Sequence, residues 1–300
     1  MRNVRKVLSK RFSKAANCVD RNLQLRILTA LTLGLGFVGA IYFSVYAAIV
    51  LFAIILILGL FELFKIVRAY NEPVKPNRIL TIWLALVVYG ILAVLPGFLR
   101  LDMLFPRDYF LALGLLFVFI LVLFVAELFR NQTKPLENLA FSLFGIAYLA
   151  IPLGLIISAS FDSDGNYQPW YILFFFFFMW ASDTGAYFAG RFFGKRKLFE
   201  RLSPKKTVEG FIGGMVASGL LGVAAFSHLG KFGVIEWIGI GVLLSITGTA
   251  GDLFESMLKR QAGVKDSGNI LPGHGGILDR FDSALLSAPV YWILLYLGTS

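Results

Sequence analysis

The chain has 300 residues, of which 58% are hydrophobic and only 15% charged, and its mean hydropathy is +0.76. Its apolar residues come in blocks of about 20 without a charge, the length that an α-helix needs to cross a bilayer, which excludes an ordinary soluble domain. The net charge of +10 could indicate nucleic-acid binding, but the basic residues lie between the apolar blocks, as in a multi-pass membrane protein. We therefore predict an all-α, polytopic integral membrane protein without a nucleic-acid partner.

A basic segment, residues 1–26, precedes the first apolar block. It shows no small-residue cleavage site, and the apolar block after it is too long for the core of a cleaved signal peptide. Its apolar residues fall near helical spacing, which fits an interfacial helix on anionic lipid; a disordered basic tail explains the segment equally well.

Nine apolar helices are predicted. The apolar run 27–67 is about twice as long as one span, so we place a break at Phe43-Ser44-Val45. The other seven helices are predicted at 79–99, 109–129, 139–158, 170–188, 208–228, 234–252 and 284–297. Residues 27–168 then form an N-terminal group of transmembrane helices, and residues 169–300 form a second transmembrane region with two polar loops, 191–207 and 255–283.

The distribution of Lys and Arg predicts the orientation. If the helices alternate in direction, 25 of the 28 basic residues lie on one side, and the opposite loops hold only Arg100, Arg107 and Lys231. The positive-inside rule then places the N-terminus and both polar loops in the cytoplasm and the C-terminus outside. We expect a multi-pass protein of a cell membrane of the bacterial inner-membrane type, with any active site facing the cytoplasm.

The longest polar stretch between two apolar blocks is the segment 256–282, S-M-L-K-R-Q-A-G-V-K-D-S-G-N-I-L-P-G-H-G-G-I-L-D-R-F-D, which we call the signature segment. It gathers four basic side chains, three aspartates and one of the two histidines of the chain. Glycines let the backbone approach a ligand closely, basic residues bind phosphates, and paired carboxylates hold Mg²⁺ together with substrate phosphates. The composition indicates a metal-assisted phosphoryl-transfer or nucleotidyl-transfer site.

The signature segment also resembles the signature of the phosphatidate cytidylyltransferases (CDP-diacylglycerol synthases), from S-x-x-K-R through K-D and P-G-H-G-G to D-R-F-D, without a departure. The resemblance implies the conversion of CTP and phosphatidic acid to CDP-diacylglycerol and pyrophosphate in phospholipid biosynthesis. It makes residues 169–300 the catalytic region, and it implies CTP, phosphatidic acid and membrane lipid as partners and a homodimer as the assembly.

A second stretch, S-P-K-K-T followed by E-G at 203–210, resembles another block of the same family. The resemblance implies that Lys205 and Lys206 hold substrate phosphates. Thr207 would then lie near a helix N-terminus, which favours phosphate binding. The alternative for this basic loop is a signal for membrane orientation and nothing else.

Four aspartates are candidate metal ligands. Asp252, at the predicted end of the helix 234–252, and Asp279 with Asp282, at the start of the last helix, could form one cluster if the helix ends meet. Such a cluster suits Mg²⁺, alone or with a second cation; helix capping by Asp279 and Asp282 is the alternative. Asp183 lies in an apolar helix, where an ionisable group usually faces a cavity or is a structural residue bonded to neighbouring helices. The pattern D-x-x-A-Y-F-x-G-R at 183–191 resembles a family block and favours a place in the site.

His274 could bind metal or phosphate or shape its loop, and we assign it to substrate binding because no second His or Cys is near. Under this interpretation the catalytic residues are Asp252, Lys265, Asp279 and Arg280. The metal ligands are Asp183, Asp252, Asp279 and Asp282. The substrate-binding residues are Ser203, Lys205, Lys206, Thr207, Lys259, Arg260, His274, Gly275 and Gly276.

Three rival functions remain. A CTP-dependent lipid kinase would need a base for a neutral hydroxyl group and would release CDP. A CDP-alcohol phosphotransferase is disfavoured because the pattern D-G-x-x-A-R…D-x-x-x-D is absent. A transporter would concentrate its polar residues near the bilayer midplane, whereas here they lie in two loops.

Overall fold

The structure is a computed structural model that describes residues 32, 34–98, 106–162, 164–268, 270 and 275–298. The basic segment 1–26 and His274, for both of which the sequence makes a prediction, lie outside the described residues. The described part is mostly helical. Its elements are α1 (Gly34–Phe43), α2 (Val45–Tyr70), α3 (Arg78–Phe98), α4 (Pro106–Leu128), α5 (Pro135–Gly145), a π-helical turn (Ile146–Ala150), α6 (Ile151–Ser158), α7 (Pro169–Phe193), β1 (Lys197–Phe199), β2 (Ser203–Thr207), α8 (Val208–Leu229), α9 (Val234–Gln261) and α10 (Leu278–Leu297).

The predicted break in the first long apolar run is confirmed at Ser44. The Ser44 side chain caps α2 and accepts a hydrogen bond from the amide of Ala47, with 3.3 Å between Oγ and N. A serine at this position satisfies an amide that has no partner inside the helix. The described part of the run, from residue 34 on, therefore forms two helices, α1 and α2.

Among the described residues, five helical stretches are long and apolar enough to cross a membrane by length and composition: α2, Pro135–Ser158, α7, α8 and α9. Gly34–Phe43, Arg78–Val94 and Phe117–Leu128 are shorter apolar helices. This confirms a predominantly helical membrane protein, whereas the count of nine spans and the orientation of the termini stay predictions.

Helices α7 and α8 approach each other closely because small residues line their contact. A Cβ atom added to Gly185 would collide with Ala217, and one added to Gly213 would collide with Ala189. Small residues at such positions let two helix backbones pack tightly inside a membrane. This packing fixes the end of α7 beside the start of α8.

Hydroxyl groups, most of them buried, join α9 to its neighbours on both sides. The Ser182 and Ser245 hydroxyls of α7 and α9 lie 2.7 Å apart, and the Ser218 hydroxyl of α8 donates to the carbonyl of Gly241 at 2.7 Å. On the other side, the Thr247 hydroxyl donates to Ser287 of α10 at 3.0 Å. Helix α9 is thus held between α7, α8 and α10.

The sequence placed the end of α9 at Asp252, and this prediction was wrong because the helix continues to Gln261. Beyond Asp252 the helix becomes polar but is stabilised by an ion pair between Glu255 and Lys259, one turn apart, with 2.8 Å between Oε2 and Nζ. Likewise α10 begins at Leu278 and not at residue 284. The predicted loop 255–283 is therefore helical at both ends.

The other predicted loop, 191–207, contains the last residues of α7 and a small antiparallel hairpin that the sequence did not predict. Strands β1 and β2 pair Lys197 with Thr207 and Phe199 with Ser203. The Lys197 ammonium also donates to the carbonyl of Pro204 at 2.7 Å. The hairpin gives the basic residues of this stretch a fixed scaffold directly before α8.

Candidate active site

A cavity of about 400 Å³ opens where the end of α7, the hairpin and the start of α8 meet. Thr249 of α9 and Ser283 of α10 complete its wall. The predicted site residues that line it are Asp183, Lys205, Lys206 and Thr207. The structure therefore brings the predicted basic block and the intramembrane aspartate into one cavity, although they lie in different elements.

Asp183 is exposed, and its side chain lines this cavity. This arrangement fits the interpretation of Asp183 as a cavity-facing acid rather than a structural residue buried between helices.

Lys206 of β2 forms an ion pair with Asp252 of α9, with 2.5 Å between Nζ and Oδ2. Both side chains are about one-third exposed, 27% and 32%. Asp252 also lies close enough to Asp183 and Asp282 for their charges to interact. Of the four predicted metal ligands, Asp183 thus lines the cavity, and Asp252 reaches the cavity-lining Lys206 through this ion pair.

Thr207 was predicted to lie near a helix N-terminus, and it is the N-cap of α8: its hydroxyl oxygen accepts a hydrogen bond from the amide of Gly210 at 3.1 Å. In the first turn of α8, Glu209 accepts hydrogen bonds from the amides of Lys195 and Arg196 at 3.0 and 3.2 Å. These contacts fix the hairpin to the start of the helix. Because Thr207 and Gly210 line the cavity, the helix N-terminus, which favours anions, faces the cavity.

A second polar cluster surrounds Asp279 at the start of α10. Its Oδ1 atom accepts from the Lys259 ammonium at 2.6 Å, and its Oδ2 atom accepts from the amides of Ser267 and Gly276 at 3.0 and 2.9 Å. Lys259 also bonds Glu255, whose side chain is fully buried. The two ends of the signature segment therefore meet through Lys259 and Asp279.

The remaining predicted residues lie around these two clusters. Lys265 and Arg280 are exposed; Arg260 is exposed and its guanidinium lies 3.4 Å from the carbonyl of Val264. Gly275 adopts a positive φ of 83° beside the Asp279 carboxylate, a conformation that favours glycine. Ser203 and Lys205 lie on β2, and Gly276 is buried against Asp279 and Ser267.

The described residues contain no group of three or more acidic, His or Cys side chains arranged to hold a metal ion. Their chemistry nevertheless suits Mg²⁺, which binds through one or two carboxylates together with substrate phosphates rather than in an all-protein cage. Asp183 offers such a carboxylate in the cavity wall, Asp252 and Asp282 offer carboxylates next to the wall residues Lys206 and Ser283, and Asp279 offers one at the signature segment. A cation at Asp252 or Asp279 would compete with the lysine that each carboxylate now contacts.

Sequence reasoning missed two residues that the structure brings to this region, Glu62 of α2 and Ser267. Glu62 is fully buried, and its carboxylate contacts the signature segment. Glu62 could have been found from the sequence, because it is a charged residue within the apolar stretch L-G-L-F-E-L-F. The same kind of signal, an ionisable residue in an apolar helix, identified Asp183. Ser267 carried no comparable signal, because a serine in a polar loop is unremarkable.

Membrane-length helices and a cavity lined by lysines, a carboxylate and a helix N-terminus define an integral membrane protein with a site suited to phosphorylated ligands. The family model described as the cytidylyltransferase family matches residues 24–297. The chain belongs to this family.

Relatives of this chain carry a more specific name. One relative is a protein of Staphylococcus aureus strain COL that is named phosphatidate cytidylyltransferase. It is 45% identical over 177 residues, which cover 58% of this chain and 65% of the relative. The two further relatives below have the same name. The relative in Staphylococcus haemolyticus is 47% identical over 158 residues, 52% and 58% of the two chains. The relative in Staphylococcus epidermidis is 44% identical over 184 residues, 61% and 68% of the two chains. The matches thus span 58% to 68% of the curated relatives' length, and less than two thirds of the S. aureus and S. haemolyticus relatives.

Proposed function

We propose that this protein is a phosphatidate cytidylyltransferase, which converts CTP and phosphatidic acid to CDP-diacylglycerol and pyrophosphate. The observation that carries the proposal is the cavity that combines Lys205, Lys206, Asp183 and the start of α8, in a chain whose signature segment resembles this family. The names of the staphylococcal relatives support the same activity.

The proposed reaction needs no general base. The lipid phosphate has a second pKa of about 6, so that one of its oxygens is already a nucleophile at neutral pH. This oxygen forms a bond to the α-phosphorus of CTP, the bond between that phosphorus and the α–β bridging oxygen breaks, and pyrophosphate leaves with the electron pair. The main barrier is repulsion between two anionic substrates.

The basic residues lower that barrier by positioning and neutralising the phosphates. Lys205 and Lys206 act from the hairpin, and the amides at the start of α8 add partial positive charge. On the side of the signature segment, Lys259, Arg260, Lys265 and Arg280 supply further cations. In this proposal the hairpin lysines hold phosphate within the cavity, and the cations of the signature segment approach the substrates from beside it.

We assign metal binding to Asp252 and Asp279, with Asp282 and Asp183 in or beside the same shell. Bound Mg²⁺, alone or with a second cation, would supply charge neutralisation for the triphosphate. The carboxylates orient the nucleotide, and the lysines that now pair with them can turn to the substrate phosphates.

The proposal includes the topology. Nine spans, a cytoplasmic N-terminus and an external C-terminus place the hairpin and the signature segment at the inner face of the cell membrane. Phosphatidic acid then enters laterally from the inner leaflet, and CTP enters from the cytoplasm. The family resemblance adds a homodimer to the proposal.

The test uses purified protein in detergent with phosphatidic acid, Mg²⁺ and CTP labelled on the α-phosphate. Label that moves into the lipid with equimolar pyrophosphate, and stops moving on addition of EDTA, is the expected result. Label that stays in CDP while a lipid alcohol becomes phosphorylated would replace the proposal with a lipid kinase. Stable protein without turnover of either kind would refute the transferase and favour a transporter.

A further inference from the structure

Glu62 is a carboxylate without any solvent exposure, and it lies in the C-terminal third of the apolar helix α2. Burying an ionisable side chain is costly unless hydrogen bonds compensate, and such residues in membrane helices are usually functional. The partners of Glu62 therefore indicate what its burial achieves.

These partners belong to the signature segment. The Oε2 atom of Glu62 accepts a hydrogen bond from the Leu278 amide at 2.8 Å and from the Ser267 hydroxyl at 3.0 Å. The two donors lie 216 and 205 residues further along the chain. One carboxylate of the N-terminal helices thus contacts the signature segment at two positions, Ser267 and Leu278.

Ser267, which contacts Glu62, also contacts Asp279. Its hydroxyl oxygen lies 2.9 Å from Oδ2 of Asp279, and its amide donates to the same atom at 3.0 Å. The chain of contacts Glu62–Ser267–Asp279 joins a buried carboxylate to a carboxylate proposed to bind metal. Leu278, held by Glu62, is also the residue directly before Asp279, so Glu62 restrains Asp279 from two directions.

Two glycines of the signature segment make room for Glu62. A Cβ atom added to Gly268 or to Gly276 would collide with the Glu62 carboxylate, and at Gly276 also with the Ser267 hydroxyl. Because glycine has no Cβ atom, it lets the Glu62 carboxylate approach the backbone of the segment this closely. Part of the glycine content of the segment is thereby explained by a residue outside it.

We infer that Glu62 is a positioning residue, which docks the signature segment on α2 and fixes the carboxylate of Asp279 for ligand and metal binding. The inference rests on the proposed function insofar as Asp279 is taken as a metal ligand. Docking itself is a separate statement about the segment and can be measured without turnover.

The test compares Glu62→Gln with the matched control Glu127→Gln. Glu127 is also buried, with 4% exposure, but it bonds Arg130 and Asn138, away from the signature segment. Glu62→Gln keeps the volume of the side chain and removes its charge, so that Gln can accept only weaker hydrogen bonds from Ser267 and Leu278.

The first readout is hydrogen–deuterium exchange of full-length protein in detergent. In Glu62→Gln we expect exchange faster than in wild type, confined to peptides that cover residues 262–279. In Glu127→Gln we expect these peptides to exchange at the wild-type rate. Faster exchange spread evenly through α2 and its neighbours, with a lower melting temperature, would show a merely structural role and overturn the inference.

The second readout is kinetic. We expect kcat to fall about 10- to 100-fold and half-saturation to shift to a higher Mg²⁺ concentration, while KM for phosphatidic acid stays unchanged. Ser267→Ala should give the same pattern, and the double variant should lose no more than the worse single variant because both act through one link. A loss no greater than that of Glu127→Gln would overturn the inference.

The two readouts separate the inference from the proposed function. Wild-type protein without cytidylyl transfer would refute the proposed function, and the exchange pattern would still decide whether Glu62 docks the segment. Active wild-type protein with unchanged exchange in Glu62→Gln would refute docking alone.

Discussion

The Lys206 ammonium and the Asp252 carboxylate are in contact, at 2.5 Å, across two elements that are far apart in the sequence. Lys206 belongs to the hairpin and Asp252 to the long helix α9. Because both side chains are partly exposed, the pair adds only about 0–1 kcal/mol to stability. Its main consequence is positional, since it holds a cation and a carboxylate together at the cavity.

Replacement of Lys206 should lower the activity of the protein while leaving its stability nearly unchanged. For Lys206→Met we expect cytidylyl transfer to fall by about 10²–10³-fold, the range for loss of one group that stabilises transition-state charge. The melting temperature should change little, because the ion pair is partly exposed. Lys195→Met is the control, because Lys195 is an exposed lysine of the same basic stretch that contacts Glu209 through its backbone amide. Equal activities of the two variants would remove Lys206 from the site.

The carboxylates should control the metal requirement. Asp252→Asn or Asp279→Asn should abolish transfer at low Mg²⁺, since an amide is a weaker ligand for this cation than a carboxylate. Activity measured against Mg²⁺ concentration provides the test, with Asp266→Asn, an exposed aspartate of the same segment, as the control. Full activity and an unshifted Mg²⁺ curve for Asp279→Asn would remove Asp279 from the metal site and leave the enzymatic proposal standing.

The close contact of α7 and α8 predicts a stability effect. Gly213→Val should destabilise the protein by about 1–3 kcal/mol, because its side chain meets Ala189 in a packed interface. Gly239→Ala in α9 has no atom within 4 Å of the added Cβ among the described residues, and we expect it to be neutral or stabilising by up to about 1 kcal/mol. Thermal unfolding in detergent compares the two, and equal melting temperatures would contradict this account of the interface.

The proposed orientation in the membrane can be tested by labelling single introduced cysteines. The only native cysteine, Cys18, is replaced by serine, and a cysteine is introduced at exposed Lys197 in the hairpin or at exposed Asp164 between α6 and α7. A membrane-impermeant maleimide added to intact cells should label Asp164→Cys, and should label Lys197→Cys only after the cells are opened. The reverse pattern would invert the topology.

Local chemistry explains where the sequence predicted the fold well. A serine between two apolar runs and a threonine before an apolar block are typical helix caps, and Ser44 and Thr207 both proved to be such caps. Loss of hydropathy, in contrast, was a poor guide to the end of α9. Hydropathy reports where a helix leaves the hydrocarbon, whereas the Glu255–Lys259 pair lets the helix continue beyond that point.

The candidate site was predicted in its residues but not in its connections. The blocks around Lys205 and Asp183 stand out because charges are rare in this chain, and the cavity brings them together. The contact of Glu62 with Ser267 depends on a tertiary approach between segments more than 200 residues apart. No local pattern encodes such an approach, and the short hairpin left no periodicity to recognise.

The length of α9 has a consequence for where the proposed chemistry happens. Its 28 residues extend for about 42 Å at about 1.5 Å per residue, whereas the hydrocarbon layer is about 30 Å thick. In the proposed topology, close to two turns of its polar end, with Lys259 among them, would lie in the lipid headgroup region. At this depth the phosphate of the lipid would stay in the headgroup region, and the nucleotide would not enter the hydrocarbon core. Each substrate would therefore keep its charged part hydrated until the two meet.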